Sequence, residues 1–204
     1  MDQVRLALGI VAAVLHGLGY YLYSRHTKLG QSTPNIASWS IWAFLATINA
    51  LTYRVMSGDP AATLQFFMGS IGCMLTFLFA LAMGKFSWPK RWEHWAMFIL
   101  GIVATVVYYR FRNATSANMI VLVAFVISFI PTLEGVIRDP FVEVPRSWVI
   151  WTVAYMITTM NVTLNPDWRL VSLLMPVVMV VAHGAVAVLS TDTRKARFIQ
   201  PITR

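Results

Sequence analysis

The sequence predicts an all-α membrane protein with seven transmembrane helices, and two observations lead to this fold class. The first is composition: 58% of the 204 residues are hydrophobic and only 12% are charged, with a mean hydropathy of +0.65. A soluble domain carries about 25% charged residues, so this chain has too few of them to cover a water-soluble surface. The second is a series of apolar stretches of about 20 residues, the length with which a helix crosses a hydrocarbon core of about 30 Å.

Seven such stretches follow one another along the chain, separated by residues that interrupt helices. We predict spans at residues 6–23, 36–53, 61–84, 92–109, 114–137, 147–164 and 170–190. The breaks contain, in order, Gly30 and Pro34, Pro60, Pro89, Asn113, Pro140 and Pro145, and Pro166. These residue types favour turns over helices. We expect the first span to be a retained helix and not a signal peptide, because Arg5 is the single basic residue ahead of it and no small-residue cleavage site follows.

The charges of the connecting loops predict the orientation of the chain. Of the sixteen lysines and arginines, five lie on the side of the amino terminus, and these are Arg5, Arg54, Arg110, Arg112 and Arg169. The other eleven lie on the opposite side, and the positive-inside rule places the richer side in the cytoplasm. We therefore expect a multi-pass protein of the cell membrane, with its amino terminus outside and its basic tail, residues 191–204, in the cytoplasm.

Helices two and six have similar sequences, which indicates an internal repeat. Each begins at a proline, Pro34 or Pro145, and continues with a Trp-x-Ile-Trp motif that ends at Trp42 or Trp151. A Thr-x-Asn motif follows in both helices. Two units in the same order form parallel repeats about an axis along the membrane normal. The predicted divisions are a triple-helix bundle over 1–84, a linker helix over 85–112 and a second triple-helix bundle over 113–190.

This three-one-three plan resembles the SWEET and PQ-loop transporter superfamily. The residues that carry the resemblance are Pro131 and Thr132, in the place of the family's Pro-Gln pair, together with the prolines at the start of helices two and six. The resemblance implies that these prolines act as hinges. It also implies that one tryptophan from each of helices two and six lines a central cavity, and Trp42 and Trp151 match these by placement.

Besides Thr132 in place of the family's Gln, the chain departs from the family pattern in two places. Helix one has Gly17 and Gly19 near the position where the family has a proline. The asparagines with which the family binds sugar in helices three and seven are missing. The nicotinamide riboside carriers share the same plan, and an aromatic pocket suits a flat ring. The resemblance therefore implies a small, polar, neutral solute, and both sugar-like and nucleoside-like compounds stay open.

Three pairs of side chains deep in the predicted helices are candidate solute ligands. They are Trp42 and Trp151, Asn49 and Asn161, and His16 and His183. Each indole either lines a cavity, where it stacks on a sugar or heterocycle and donates its N–H, or packs against neighbouring helices. An amide or imidazole inside a membrane needs a partner, which is either the solute or a neighbouring helix. The shallower Trp39 and Trp148 are expected in the aromatic belt at the membrane interface.

Six residues are candidates for hinges or gates. They are Pro131, Glu134, Gly17, Gly19, Pro34 and Pro145. Pro131 removes a backbone N–H and weakens helix five at that point. Glu134 is the carboxylate that lies deepest in a predicted span. It is either a gating or proton-linked group, or the surface partner of Arg138 one turn later.

The resulting expectation is a transporter that moves its solute by alternating access. No cofactor or metal is expected, because the chain has one cysteine and its two midspan histidines have no carboxylate nearby in the sequence. The expected partners are the lipid bilayer and the solute, with a homo-oligomer or partner membrane subunits left open. Nucleic acid is not expected, because the basic residues are scattered among the loops.

One other function class remains open at this point. The chain would then be a structural or accessory subunit of a larger membrane complex, and its tryptophans would pack against partner helices. A rhodopsin-like receptor is disfavoured, because helix seven has no lysine that could form a retinal Schiff base. No catalytic motif is visible, so the sequence predicts no enzyme.

Overall fold

A computed structural model describes residues 2–31, 36–82 and 90–191. In these residues the regular structure consists of seven α-helices and one short 3₁₀ turn, Pro140–Val142. The helices are α1 (Asp2–Lys28), α2 (Ile36–Ser57), α3 (Pro60–Ala82), α4 (Trp92–Phe111), α5 (Ala114–Arg138), α6 (Pro145–Thr163) and α7 (Leu170–Leu189). The prediction of an all-helical chain with helices at these seven places is confirmed.

The helix ends follow local sequence signals. At the end of α1, basic side chains occupy the last turn, where they complement the negative end of the helix dipole. The chain then reaches Gly30, whose φ of 71° is readily adopted by glycine. At the start of α6, Pro145 occupies the first turn, where its missing N–H costs nothing. The predicted hinge at Pro34 lies outside the described residues.

Five of the described helices are long and apolar enough to cross a membrane: α1 from Gln3 onwards, α3, α4, α5 and α7. Their length and composition indicate a membrane-embedded protein. The remaining two, α2 and α6, fall short in hydropathy because each mixes Thr, Asn and Trp with its apolar residues. These are the two helices that carry the predicted repeat.

The helices pack in a pattern that repeats between the two halves of the chain. In the first half α3 packs against both α1 and α2, and in the second half α7 packs against both α5 and α6. Between the halves, α1 packs against α6 and α5 packs against α2. Helix α4 lies against α5 and α2. Exchanging α1, α2 and α3 with α5, α6 and α7 therefore converts each contact among these six helices into another observed contact, whereas the contacts of α4 have no counterpart.

Candidate functional site

The two halves enclose an aromatic cavity of about 50 Å³, which we call the central cavity. Six helices contribute to its wall, and α4 does not. The largest contributions come from α2, with Trp39, Trp42 and Asn49, and from α6, with Trp148, Trp151 and Tyr155. Helices α1, α3, α5 and α7 add Tyr20, Cys73, Phe129 and His183 among others.

The structure places Trp42 and Trp151 on the wall of this one cavity, and each is packed against a second tryptophan of its own helix. The ring centroids of Trp39 and Trp42 are 5.0 Å apart with an interplanar angle of 80°. Those of Trp148 and Trp151 are 5.2 Å apart at 84°. Both pairs have the edge-to-face geometry that aromatic quadrupoles favour. The Trp-x-Ile-Trp motif thus forms the same local arrangement in α2 and α6.

Trp39 and Trp148 are not exposed to lipid, which corrects the expectation of an aromatic belt. Their exposed fractions are 3% and 2%. The physical reason is the spacing of three residues, which puts each on the same helix face as the deeper tryptophan and turns it into the bundle. The indole Nε1 of Trp148 donates a 3.0 Å hydrogen bond to Glu143, in the connection between α5 and α6.

The two indole N–H groups of the predicted pair differ in their bonding. Trp151 Nε1 donates to the carbonyl oxygen of His16 at 3.1 Å, which ties α6 to α1. Trp42 is 9% exposed, and its Nε1 is buried with no acceptor among the described residues. An unpaired buried donor costs free energy unless something accepts from it. Of the pair, Trp42 is therefore the tryptophan whose buried indole N–H has no acceptor among the described residues.

His183 lies on the cavity wall, surrounded by rings. Its Nδ1–H donates to the carbonyl oxygen of Met179 at 2.8 Å, and the rings of Phe129 and Tyr155 lie 5.0 and 5.1 Å away. A carbonyl can only accept, so the bond requires the proton on Nδ1. In the neutral imidazole this leaves the lone pair of Nε2 as an acceptor.

His16 lies behind the wall and belongs to a buried polar chain. Its Nδ1 accepts from the amide of Gln65 in α3 at 2.8 Å, and the amide oxygen of Gln65 accepts from Thr158 in α6. The His16 ring lies 5.1 Å from that of Tyr155, which does line the cavity. The chain satisfies polar groups that would otherwise be unpaired in an apolar interior. His16 therefore connects three helices and reaches the cavity only through its neighbours.

The two asparagines of the repeat occupy different places. Asn49 lines the cavity and accepts a 2.9 Å bond from Asn118 of α5. Asn161 lies outside the cavity, where its amide donates to the carbonyl oxygen of Arg5 at 3.0 Å. The spacing explains the difference. Asn49 is seven residues, or about two turns, from its tryptophan and on the same face, whereas Asn161 is ten residues away and points elsewhere.

Asn118 is a functional candidate that the sequence reasoning missed. Its side chain is fully buried and donates to both Asn49 and Thr52 at 2.9 and 3.0 Å. The repeat drew attention to amides in α2 and α6, and Asn118 is in α5. A usable signal was present, because an amide inside an apolar helix requires a partner wherever it occurs.

The proposed hinge glycines of α1 have different neighbours. A methyl group on Gly19 would overlap the indole nitrogen and ring of Trp151. A methyl group on Gly17 would only meet the flexible side chain of Met68, at 3.3 Å. Gly19 therefore allows Trp151 to lie directly on the backbone of α1, and Gly17 does not have this function.

The other gate candidates lie away from the cavity wall. Helix α5 continues through Pro131 to Arg138. Glu134 accepts a 3.0 Å bond from Arg91, ahead of α4, and lies 3.8 Å from Arg138, so it joins α4 to α5 at that end of the bundle. Arg91 also pairs with Glu93 at 2.5 Å, and of these two carboxylates Glu93 is the buried one.

The two carboxylates also change the ionisation of the Arg91 guanidinium. Hydrogen bonds first to Glu93 and then to Glu134 raise the pKa of the Arg91 guanidinium. The group therefore remains a cation at any physiological pH, and it can hold two carboxylates from neighbouring helices.

Polar contacts join the two halves at both ends of the bundle. At the end where α1 begins, Arg5 pairs with Asp59, and Asp59 also accepts from Asn165 in the connection between α6 and α7 at 3.3 Å. At the opposite end, Glu143 accepts from Trp148 and, at 3.4 Å, from Tyr23 of α1. The cavity thus lies between two polar contacts.

The described residues contain no group of three or more histidine, cysteine, aspartate or glutamate side chains placed to hold a metal ion. Comparison of the chain with protein-family models, with curated proteins and with solved structures gives no match. The resemblance to the SWEET and PQ-loop superfamily therefore stays a prediction, and the functional argument depends on the cavity.

Proposed function

We propose that the protein is a carrier that moves a small organic solute across a membrane by alternating access, with the central cavity as its solute site. The observation that supports this best is the position of Trp42 and Trp151. They come from the two helices with repeated sequence, and they line one cavity inside a membrane-embedded bundle. Carriers built from repeats place their site at such a repeat interface.

The packing pattern supports a parallel repeat. Exchanging the first three helices with the last three reproduces the contacts among these six helices, as a two-fold axis along the membrane normal would. In this proposal the two triple-helix bundles of the SWEET and PQ-loop plan move against each other, and α4 connects them. Gly19 and Pro131 would then lie in corresponding helices.

The proposal includes seven membrane crossings. Helices α2 and α6 have 22 and 19 residues, which at about 1.5 Å per residue is sufficient for a core of about 30 Å. Their Trp and Asn side chains are buried in the bundle and would not meet lipid. With seven crossings the two ends lie on opposite sides, and the loop charges favour an outside amino terminus in the cell membrane.

The cavity has the size expected of a closed state. Ligand pockets commonly measure about 300–1,000 Å³, and the central cavity of about 50 Å³ has room for a few water molecules only. The polar contacts through Asp59 at one end and Glu143 at the other would keep it closed. Solute entry then requires the contact at one end to open and the cavity to widen.

A flux assay tests the cavity assignment. We expect Trp42→Ala and Trp151→Ala to reduce solute uptake into proteoliposomes by about tenfold or more, because each removes a large stacking surface. Trp95→Ala is the matched control, because Trp95 is 49% exposed on α4 and lines no part of the cavity. Unchanged uptake by both cavity variants would refute the assignment.

The same preparation tests the alternative of an accessory subunit. The protein is purified in a mild detergent. A second protein in stoichiometric amount, with no flux of any solute, would support that alternative. A chain that purifies alone and remains folded favours the carrier.

A further inference from the structure

We propose that the solute of the central cavity is a compact quaternary ammonium compound that also carries a hydrogen-bond acceptor. This inference rests on the proposed function, because it names the chemical class of solute for the same cavity. It differs from the neutral, sugar-like or nucleoside-like solute that the sequence predicts. Three features of the cavity lead to it: the chemistry of the wall, the angles between its rings and one unpaired donor.

The wall is made mainly of ring faces and carries no charged side chain. Four tryptophans and two tyrosines line it, together with phenylalanines from α3 and α5. The face of an aromatic ring is negative, and it attracts a cation placed within about 6 Å of its centroid. Methylated ammonium groups suit such a wall best, because they have an apolar surface and no N–H that must be hydrogen-bonded.

The angles between the rings favour a rounded group over a flat one. The angles between neighbouring rings of the described wall range from 34° for Trp42 and Phe129 to 84° for Trp148 and Trp151, so no two of them lie parallel. A planar heterocycle needs a slot between two nearly parallel faces. Rings that meet at steep angles around a small hollow instead form a cage, which is the geometry that recognises a tetrahedral ammonium group.

The polar groups of the wall argue against a polyhydroxylated solute. The Asn49 side-chain oxygen accepts from Asn118, the Tyr20 hydroxyl and Cys73 sulfur are paired at 3.0 Å, and Trp151 donates to a backbone carbonyl. A sugar would bring several hydroxyl groups against a wall that consists mainly of aromatic rings. Each hydroxyl left unpaired there would weaken binding.

One buried donor of the wall residues has no acceptor among the described residues, and it points to the second half of the solute. Trp42 Nε1–H is buried without an acceptor among the described residues, and Trp42 lines the cavity. A hydroxyl or carboxylate oxygen on the solute would satisfy this donor. A quaternary ammonium group joined to such an oxygen through a short chain, as in choline or a betaine, combines both requirements.

Binding to the purified protein tests the inference through intrinsic tryptophan fluorescence and thermal shift. The probes are choline, a neutral isostere of choline in which carbon replaces the ammonium nitrogen, and tetramethylammonium. We expect choline to bind at least about tenfold more tightly than its neutral isostere, because the two differ only in charge. Glucose and a neutral nucleoside are expected to give no thermal shift at the same concentrations.

A variant tests the hydrogen bond to the solute oxygen separately from the contact of the rings with the ammonium group. Trp42→Phe keeps a ring on the wall and removes the N–H donor. We expect it to weaken choline binding about threefold to tenfold more than it weakens tetramethylammonium binding, because the hydrogen bond is lost only for choline, whereas the weaker ring affects both. Trp95→Phe is the matched control and should affect neither probe.

The outcomes distinguish this inference from the proposed function. Equal affinity for choline and its isostere, or preferential binding of the sugar or nucleoside, would overturn the ammonium class. If proteoliposomes take up the sugar or the nucleoside and Trp42→Ala reduces this uptake, the carrier proposal stands although the ammonium class is wrong. If choline binds but no probe crosses the membrane, the cage is correct and the carrier proposal fails.

Discussion

Gly19 and Trp151 meet at a point in the bundle where no additional side chain fits. The Trp151 indole lies against the backbone of α1, and its N–H donates to the carbonyl oxygen of His16, three residues before Gly19. The rings of Tyr20 and Tyr23 lie 5.0 and 5.8 Å from the same indole. Because Gly19 has no side chain, Trp151 of α6 can lie this close to α1.

This contact predicts different effects for two neighbouring substitutions. Gly19→Ala adds a methyl group that overlaps Trp151, and overpacking of this kind costs about 1–3 kcal/mol. We expect a melting temperature several degrees lower and an altered tryptophan emission spectrum. Gly17→Ala is the control, since its methyl group meets only the flexible Met68 side chain. Equal melting temperatures of the two variants would show that the contact between Gly19 and Trp151 does not affect stability.

Helices α1 and α3 and the connection from α6 to α7 are held together by one buried ion pair. Arg5 and Asp59 come from positions 54 residues apart in the sequence, and both side chains are largely shielded from solvent. Asp59 has a second function, because its carboxylate accepts from the backbone N–H of Ala62 at the start of α3. The ion pair of Glu134 with Arg91, at the other end of the bundle, is more exposed.

The two ion pairs predict unequal costs when one carboxylate is neutralised. Asp59→Asn keeps the size and the capping oxygen but leaves Arg5 as an uncompensated buried charge, which we expect to lower the free energy of unfolding by about 3 kcal/mol. Glu134→Gln alters a solvent-exposed pair and is expected to cost less than about 1 kcal/mol. Unfolding in detergent micelles measures both. A larger loss for Glu134→Gln would contradict this account.

At the scale of the whole molecule, the arrangement in the membrane depends on α2 and α6. Both fall short of the apolar composition typical of a span, and both carry the buried tryptophans of the cavity. A helix surrounded by other helices can be more polar than one that faces lipid, because its polar side chains find partners inside the protein. The helix contacts thus favour seven crossings in spite of the hydropathy of these two helices.

Cysteine labelling tests the seven crossings and the orientation together. Native Cys73 is buried, so single exposed cysteines can be introduced beside it. Arg54→Cys and Asp167→Cys are expected to react with a membrane-impermeant maleimide from outside, whereas Gln31→Cys and Arg146→Cys should react only after permeabilisation. Gln31 and Arg54 form the pair at the two ends of α2, and Arg146 and Asp167 form the pair at the two ends of α6. Reaction of both members of a pair from the same side would show that the helix between them does not cross.

Much of the fold followed from local features of the sequence. Apolar length, together with breakers such as Pro60 and Asn113, predicted seven helices near their observed positions, because a helix in an apolar setting is stabilised by hydrogen bonds within its own segment. The repeat in α2 and α6 also brought Trp42 and Trp151 to one cavity. In both cases the decisive information lies within a few turns of one helix.

Only the tertiary structure decided which side chains meet. The spacing within each helix separates Asn49 from Asn161, but the partner that each one meets comes from another helix, Asn118 of α5 for the first and the backbone of Arg5 in α1 for the second. The sequence indicates that a buried amide such as Asn118 needs a partner, but it does not indicate which residue of which other helix that partner is. The physical reason is that a helix sets the face on which each side chain lies, whereas the rotation and depth of that helix against its neighbours are set by packing of the whole bundle.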